Sequence, residues 1–141
     1  MSQLLQPALT SITKLNEAIS RMINLHGFSP LSTNHLDGTF SSGRHLVLLT
    51  QDPLLSPESL DACVILPEAL KRRPSDIIVK WVADAETSQQ LMASCQINRA
   101  PAVIFFQNGQ ITNYLEGIRD WGSYEASILA LVDSCADRFE A

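Results

Sequence analysis

The feature that most constrains the fold is the run His45–Thr50, in which every interior position is apolar. This run has the length of a strand, and an unbroken rather than alternating apolar pattern is typical of a strand covered on both faces. Such a strand needs a sheet with helices packed on each side. The sequence therefore predicts an α/β chain with this strand at the centre of its sheet.

Residue spacing elsewhere in the chain predicts the remaining elements. Apolar residues three and four apart indicate helices, and β-branched or aromatic runs indicate strands. In chain order these are helix 9–23, strand 28–31, a helical turn 36–40, strand 45–50, helix 62–73, strand 77–83, helix 84–95, strands 102–107 and 110–116, and helix 124–139. Asn108-Gly109 between the last two strands is a strong hairpin signal. The order predicts a mixed sheet with helices on both faces, closed by a hairpin and a last helix.

Size and charge narrow the class of protein. The 141 residues, 45% of them hydrophobic, suit one domain over 1–141 with an N-terminal helical extension over about 1–27. The net charge of −5 disfavours nucleic acid and anionic membranes and favours a basic partner. No run approaches the roughly 20 apolar residues of a spanning helix, and the first residues lack signal-peptide features. We expect a soluble, cytoplasmic protein with no membrane insertion.

The cysteines and histidines form no recognisable site. The cysteines are odd in number, widely spaced and without a CxxC pair, which argues against a disulfide framework or a zinc ribbon and fits a reducing compartment. The histidines lie nine and ten residues apart with no partner cluster, so we expect no metal ion and no cofactor. These residues are Cys63, Cys95, Cys135, His26, His35 and His45. Cys95 and Cys135 lie on apolar helix faces and are expected in the core.

The segment Ile97–Gly109, which reads INRAPAVIFFQNG, resembles the second half of thioredoxin when taken with Glu116-Gly117 and the amphipathic last helix. The resemblance implies a thioredoxin-like three-layer fold. It also implies a cis peptide bond before Pro101, which from the residues alone is an ordinary strand-start proline. Pro67 matches the proline that kinks the helix after the central strand.

The reactive part of thioredoxin is missing. That family places CxxC at the start of the helix after the central strand, where the helix dipole lowers the pKa of the thiol. The corresponding stretch Thr50–Cys63 holds a single cysteine, and the buried acid of thioredoxins would fall near Leu48. The resemblance therefore implies the scaffold without its dithiol chemistry and without catalytic residues.

Within the thioredoxin-like proteins, the chain is similar to the hydrogenase expression family of the HyaE, HupG and HoxO type. The similarity runs from about Leu15 to Val132 and rests on Thr50–Pro53, Arg99–Ala102 and Leu115–Trp121. It implies a non-catalytic chaperone of nickel-iron hydrogenase maturation, which binds the twin-arginine signal peptide of the hydrogenase small subunit precursor until the iron-sulfur clusters are in place. The chain departs from the family in its longer N-terminal extension and in lacking a dense acid cluster at its C-terminus.

The resemblance also implies a peptide-binding groove beside the proline turn. It would be lined by Ala83, Arg99, Ala100, Pro101, Glu116 and Gly117. Backbone groups at the turn can pair with an extended peptide by strand addition. Acids at the rim are expected to bind two arginines through charge-assisted hydrogen bonds, and these are Asp52, Glu58, Asp61, Glu116 and Asp120. The apolar segment of the peptide would contact Leu54, Leu55, Leu60 and Trp121.

Two other functions stay open from the sequence. Cys63, expected in the first turn of its helix, would serve a single-cysteine redox protein acting with glutathione, whereas its plainer interpretation is a small buried apolar residue. The other possibility is a structural adaptor whose N-terminal helix binds other hydrogenase accessory proteins. The pKa and reactivity of the Cys63 thiol separate the redox protein from the other two.

Overall fold

The described residues form an alternating α/β chain. The computed structural model describes residues 6–33, 38–72, 78–117, 123, 125–130 and 132–133. Its elements are α1 (Gln6–His26), β1 (Ser29–Leu31), β2 (Arg44–Leu49), α2 (Glu58–Leu70), β3 (Ile78–Ala83), α3 (Ala85–Cys95), β4 (Ala102–Gln107) and β5 (Gln110–Glu116). Residues 125–130 and 132–133 are also helical and represent the expected last helix. Residues 36 and 37 of the predicted helical turn and the rest of the last helix lie outside the described residues, whereas residues 38–40 form a turn in which the Ser41 N–H donates to the Gly38 carbonyl at 3.2 Å.

Strand β2 lies at the centre of a five-stranded sheet with the order β1-β3-β2-β4-β5. Every residue of β2 is buried, as its apolar run predicts. It pairs in parallel with β3 and antiparallel with β4, so Leu48 lies between Val82 and Val103. The predicted mixed sheet with a closing antiparallel hairpin is confirmed.

Two cores, one on each face of the sheet, hold the layers together. Alternate residues of β2 serve opposite faces, since Leu46 and Leu48 belong to one core and Val47 and Leu49 to the other. The first core also contains residues of α1, α2 and the last helix, and the second contains Leu91 of α3. Helices therefore cover both faces, as predicted.

The N-terminal helix α1 is built into the first core. Its buried apolar residues are Leu15, Ala18, Ile19 and Met22, which lie on one helix face at steps of three and four. They pack in one cluster with Ala62, Leu66 and Ala69 of α2. Full burial of a leucine side chain stabilises a fold by about 1.5–3 kcal/mol, so α1 contributes substantially to stability.

Helix α2 begins four residues before the predicted start. Pro57, with φ −57°, has the helical backbone that a proline ring favours, and it precedes the first helical residue, Glu58. The Ser59 and Leu60 N–H groups donate to the carbonyls of Ser56 and Pro57 and close the first turns. Glu58 and Asp61 therefore lie in the first turn, and the prediction that Cys63 lies there is wrong.

Local signals explain the ends of α3 and the hairpin. Asp84 caps α3, because its carboxylate accepts the Thr87 N–H at 2.8 Å. Asn108 and Gly109 have φ values of 51° and 86°, and positive φ at both central residues defines the tight turn that Asn-Gly favours. None of the helices in the described part of the chain is long and apolar enough to cross a membrane.

Candidate functional site

The loop that joins α3 to β4 carries a cis peptide bond between Ala100 and Pro101. The proline ring is buried, and Ala100 is half-buried. The Pro101 carbonyl accepts the Gly117 N–H at 2.8 Å, which ties the loop to the end of β5. The cis bond expected from the resemblance is confirmed.

Glu116 stabilises the cis-proline loop. Its carboxylate accepts the backbone N–H groups of Asn98 and Arg99, two donors that precede the cis bond. The carboxylate is therefore engaged within the chain. Glu116, one of the acids proposed for the groove rim, therefore holds the backbone of the cis-proline loop in position.

Arg99 and Gly117 form a close pair beside the same loop. Arg99 is exposed, and a Cβ atom at Gly117 would lie 3.3 Å from the guanidinium carbon of Arg99. Gly117 also has φ +68°, a conformation that side chains disfavour. Glycine at this position lets the arginine side chain lie over the backbone, which places a positive charge next to the cis-proline loop.

Ser56 and Ser59 form a pair that the sequence analysis missed. They flank the start of α2, the helix that follows the central strand, with the two-residue spacing of a CxxC motif. Their hydroxyl oxygens lie 3.0 Å apart, and both residues are buried. The Ser56 hydroxyl donates to the Ala100 carbonyl at 3.0 Å. The serine pair thus has the position and the cis-proline contact expected of a thioredoxin dithiol, and the Ser-x-x-Ser spacing was the signal for it.

The hydrogen bonds of this pair run in one direction. A backbone N–H can only donate and a carbonyl can only accept. The Gln51 N–H donates to the Ser59 hydroxyl at 3.1 Å, while the hydrogen of Ser56 goes to Ala100. Ser59 must therefore donate to Ser56. This serine relay, Gln51 to Ser59 to Ser56 to Ala100, joins the segment after β2, the start of α2 and the cis-proline loop.

Ala83, proposed for the groove wall, lies in the second core and is fully buried. Its carbonyl accepts the Thr50 hydroxyl at 2.8 Å and the Ser88 hydroxyl at 3.2 Å. The Thr50 N–H donates to Ser88 at 2.8 Å. These bonds join β2, β3 and α3 at the carboxyl end of the parallel strands. Ala83 therefore stabilises this end of the sheet from within the core and does not line an exposed groove.

Asp52 accepts four hydrogen bonds, two at its carboxylate and two at its backbone carbonyl. One carboxylate oxygen accepts the Ser11 hydroxyl at 2.8 Å and the Leu54 N–H at 3.0 Å. Its carbonyl accepts the N–H groups of Leu55 and Ser56. Asp52 thus closes the turn before α2 and connects that turn to α1.

Four of the proposed residues face solvent around the start of α2. Leu54 is 58% exposed and Leu55 is 73% exposed, whereas Leu60 is half-buried and packs against the first core. Glu58 and Asp61 are exposed in the first turn. Asp120 and Trp121 lie outside the described residues.

Cys63 is a core residue. It is 4% exposed and packs in the first core. Burial raises the pKa of its thiol to about 12, and the nearby Arg21 lowers it only in part. A thiol of this kind is protonated at neutral pH, so the structure argues against the glutathione-dependent redox protein. Cys95 is half-buried against the second core, and Cys135 lies outside the described residues.

His45 and Trp81 form a structural contact at the other end of β2. The indole N–H of Trp81 donates to Nδ1 of His45 at 3.0 Å, which requires Nδ1 to be unprotonated. Nε2 therefore carries the hydrogen and donates to the Ser42 carbonyl at 2.8 Å. Both ring nitrogens are engaged, and the described residues contain no group of three or more potential metal ligands.

The sheet order, the cis-proline loop and the serine pair together define a thioredoxin-like protein that has serines where a dithiol would lie. Thioredoxin from Trypanosoma brucei brucei superposes with a TM-score of 0.59 at 12% identity, covering 80% of this chain and 98% of that one. A designed protein superposes with a TM-score of 0.56 at 15% identity, covering 75% and 98%. At these identities the likeness shows the fold alone.

The family is shown by the sequence comparisons. The model of hydrogenase-1 expression protein HyaE matches residues 18–124, and the chain belongs to this family. The hydrogenase expression/formation protein HupG of Rhodobacter capsulatus is 26% identical over 115 residues, covering 80% of this chain and 83% of HupG. HoxO of Cupriavidus necator, which carries the same description, is 28% identical over 109 residues, covering 75% and 67%. The expected family is confirmed.

Proposed function

We propose that the protein is a non-catalytic chaperone of nickel-iron hydrogenase maturation that binds the twin-arginine signal peptide of the hydrogenase small subunit precursor. Its relatives are named as hydrogenase expression/formation proteins, which supports a role in making the enzyme. The peptide as ligand follows from the expectation for the family and from the chemistry of the site. A chaperone for a precursor awaiting export would act in the cytoplasm.

The observation that carries the proposal is the hydrogen bond from Ser56 to the Ala100 carbonyl. This bond holds the start of α2 against the cis-proline loop, where the family resemblance predicts the peptide-binding groove. The exposed side chains of Leu54, Leu55 and Glu58 are next to Ser56 in the chain and are therefore presented beside that loop. Adjacent apolar and acidic groups suit a peptide that is both apolar and basic.

Among the rim acids that the structure describes, Glu58 and Asp61 are the ones available to a ligand. Within the described residues neither carboxylate has an ion-pair partner, whereas Glu116 and Asp52 accept hydrogen bonds from their own chain. An arginine guanidinium binds a carboxylate through two parallel N–H bonds, which a lysine cannot form. Two exposed acids in one helical turn therefore favour a pair of arginines over a pair of lysines.

Within the described residues, the region around the cis-proline loop contains no reactive thiol, which supports the non-catalytic part of the proposal. Serine hydroxyls replace the dithiol, and Cys63 is buried with a raised pKa. The remaining contribution of the site is binding.

A titration of fluorescently labelled signal peptide tests the proposal. We expect binding that weakens steeply with salt, as for ion pairs exposed to solvent, and that is lost when both arginines are replaced by lysine. The paired change Glu58→Gln and Asp61→Asn should weaken binding by at least about tenfold, or 1.4 kcal/mol. The matched control is Glu17→Gln with Glu86→Gln, which removes the same charge from exposed positions on α1 and α3.

Capture of the small subunit precursor distinguishes the chaperone from the adaptor. The precursor with its leader should be retained on the immobilised protein, and the same subunit without its leader should not. Equal capture of both forms would contradict the signal-peptide proposal and favour an adaptor that binds the folded subunit.

A further inference from the structure

The two edge strands of the sheet differ in the features that prevent pairing with another strand. At one edge, β1 has three residues, and its middle residue, Pro30, has no backbone N–H to offer. At the other edge, β5 has seven residues and pairs, among the described strands, with β4 alone. Its sequence, QITNYLE, contains no lysine, arginine or proline, the residues that commonly keep an edge strand unpaired. Strand β5 is therefore an edge open to pairing.

The register of the hairpin shows which backbone groups of β5 face outward. The Gly117 N–H donates to the Pro101 carbonyl, so these two residues form a hydrogen-bonded pair. Hydrogen-bonded and non-hydrogen-bonded pairs alternate along antiparallel strands. The N–H and C=O groups of Leu115 therefore point towards β4, whereas those of Tyr114 and Glu116 point away from the sheet. The one irregularity of the register lies nearer the turn and does not affect this stretch.

A second copy of β5 matches this pattern of donors and acceptors. When two antiparallel copies are related by a two-fold axis at Leu115, Tyr114 of each copy lies opposite Glu116 of the other. Each of these two pairs exchanges two hydrogen bonds, so every outward N–H group of these residues donates to a carbonyl. Glu116 is the only charged residue of β5, and this register places it opposite a tyrosine and not opposite a second Glu116.

The side chain of Tyr114 adds apolar surface to the same edge. Tyr114 pairs with Ile104 of β4, which belongs to the second core, so its ring lies on the second-core face of the sheet. Helix α3 packs on β2 and β3, and Tyr114 is left 55% exposed. In the two-fold register its ring lies beside the methylene groups of Glu116 from the second copy. Pairing therefore buries an exposed aromatic side chain, a residue type that is enriched in protein interfaces.

We infer that the protein forms a two-fold homodimer in which the β5 strands of two copies pair antiparallel, with Tyr114 opposite Glu116, and join two five-stranded sheets into one. The inference does not rest on the proposed function, since Glu58 and Asp61 lie on α2 and not at this edge. The net charge of −5 on each chain opposes association. Added salt should therefore strengthen the dimer, whereas it should weaken the binding of a basic peptide.

Opposite charges at position 114 test both the interface and its register. Sedimentation equilibrium of the full chain at about 1–200 μM gives the dissociation constant of the dimer. Tyr114→Glu places a negative charge opposite Glu116 of the other copy and should weaken the dimer at least about tenfold. Tyr114→Lys places a positive charge there and should give a dimer at least about tenfold tighter than that of Tyr114→Glu.

Val79→Glu is the matched control for the added charge. Val79 is 43% exposed on β3, which is paired on both sides and offers no free edge. The substitution should leave the dissociation constant within about twofold of wild type. Thermal unfolding of all three variants checks that the fold is intact.

Amide hydrogen exchange of the wild-type chain locates the pairing without a mutation. At a dimer-forming concentration the Tyr114 and Glu116 amides should exchange at least about tenfold more slowly than in the monomer, whereas the Leu115 amide should be protected in both. A chain that stays monomeric at about 200 μM, or equal affinities for Tyr114→Glu and Tyr114→Lys, overturns the inference. Protection of the Tyr114 and Glu116 amides only when signal peptide is added also overturns it and assigns the edge to an extended peptide.

Discussion

The Ser56 and Ser59 hydroxyls lie 3.0 Å apart at the start of the helix that follows the central strand. They take part in a relay that begins at the Gln51 N–H and ends at the Ala100 carbonyl. In this arrangement the helix is fastened to the cis-proline loop by hydrogen bonds that do not depend on redox conditions. Two hydroxyls with fixed donor directions hold the loop but cannot transfer electrons.

Replacing both serines by cysteine should create a disulfide. The side-chain oxygens are close enough that sulfur atoms in their place can approach bonding distance with small adjustments. After mild oxidation, thiol titration of the denatured variant Ser56→Cys with Ser59→Cys should count only the three native cysteines. Each single variant should retain its added thiol. A double variant that keeps all five thiols would show that the pair is not aligned as the relay requires.

Ser56→Ala should destabilise the fold by about 1–2 kcal/mol, because it removes the bond to the Ala100 carbonyl and leaves Ser59 without its acceptor. Denaturant unfolding measures the loss. Ser94→Ala is the comparison, since Ser94 is exposed and bonds only within its own helix, and it should change stability by less than about 0.5 kcal/mol. Equal effects of the two substitutions would argue against the relay.

Glu116→Gln should preserve the cis-proline loop, whereas Glu116→Ala should not. The amide oxygen of glutamine can still accept the Asn98 and Arg99 N–H groups, but alanine leaves both without a partner and should lower the free energy of unfolding by about 1–3 kcal/mol. Chemical denaturation of the three proteins checks this order. Affinity of Glu116→Gln for the signal peptide should stay within about twofold of wild type, since the carboxylate acts on its own chain. A large loss in that variant would instead assign Glu116 to the arginines.

Cys63 should make stability fall at alkaline pH. Burial raises the pKa of its thiol from 9.0 to about 12, so above pH 9.0 the unfolded chain releases a proton that the folded chain retains. The free energy of unfolding therefore decreases as pH rises from 9.0 towards 12, by at most about 1.4 kcal/mol per unit. Unfolding of wild type and Cys63→Ala at several pH values isolates this contribution, because other groups titrate in both. Parallel pH profiles would contradict the burial of the thiol.

Native Cys63 should also resist alkylation at neutral pH.

The strands of this fold could be predicted because their signals are local. The apolar run at His45–Thr50 by itself indicates a buried strand. The Asn108-Gly109 pair by itself favours a tight turn with positive φ at both residues. Helix α2 was misplaced because Pro57 and the serines around it also suit a loop. The structure uses that proline at the helix start, where its missing N–H is of no consequence.

The site could be predicted only in outline. The family resemblance located the cis-proline loop, but the partners of the acids are distant in sequence. Asp52 bonds to Ser11 across 41 positions, and Glu116 bonds to Asn98 across 18. A carboxylate is free or engaged according to tertiary packing, which no local pattern records. The sequence therefore does not distinguish the acids from one another. In the structure, Glu58 and Asp61 are exposed, whereas Asp52 and Glu116 accept hydrogen bonds from their own chain.

The packing of α1 has a consequence for any attempt to reduce this chain to the outline of an ordinary thioredoxin. Removing residues 6–26 would strip four buried side chains from the first core and expose Leu66 and Ala69 beneath them. It would also release Asp52 from Ser11, and with it the turn that presents Leu54 and Leu55. A shortened protein would therefore lose part of the surface that is proposed to bind the ligand. Although α1 reads in the sequence as an N-terminal extension, it is a structural part of the domain.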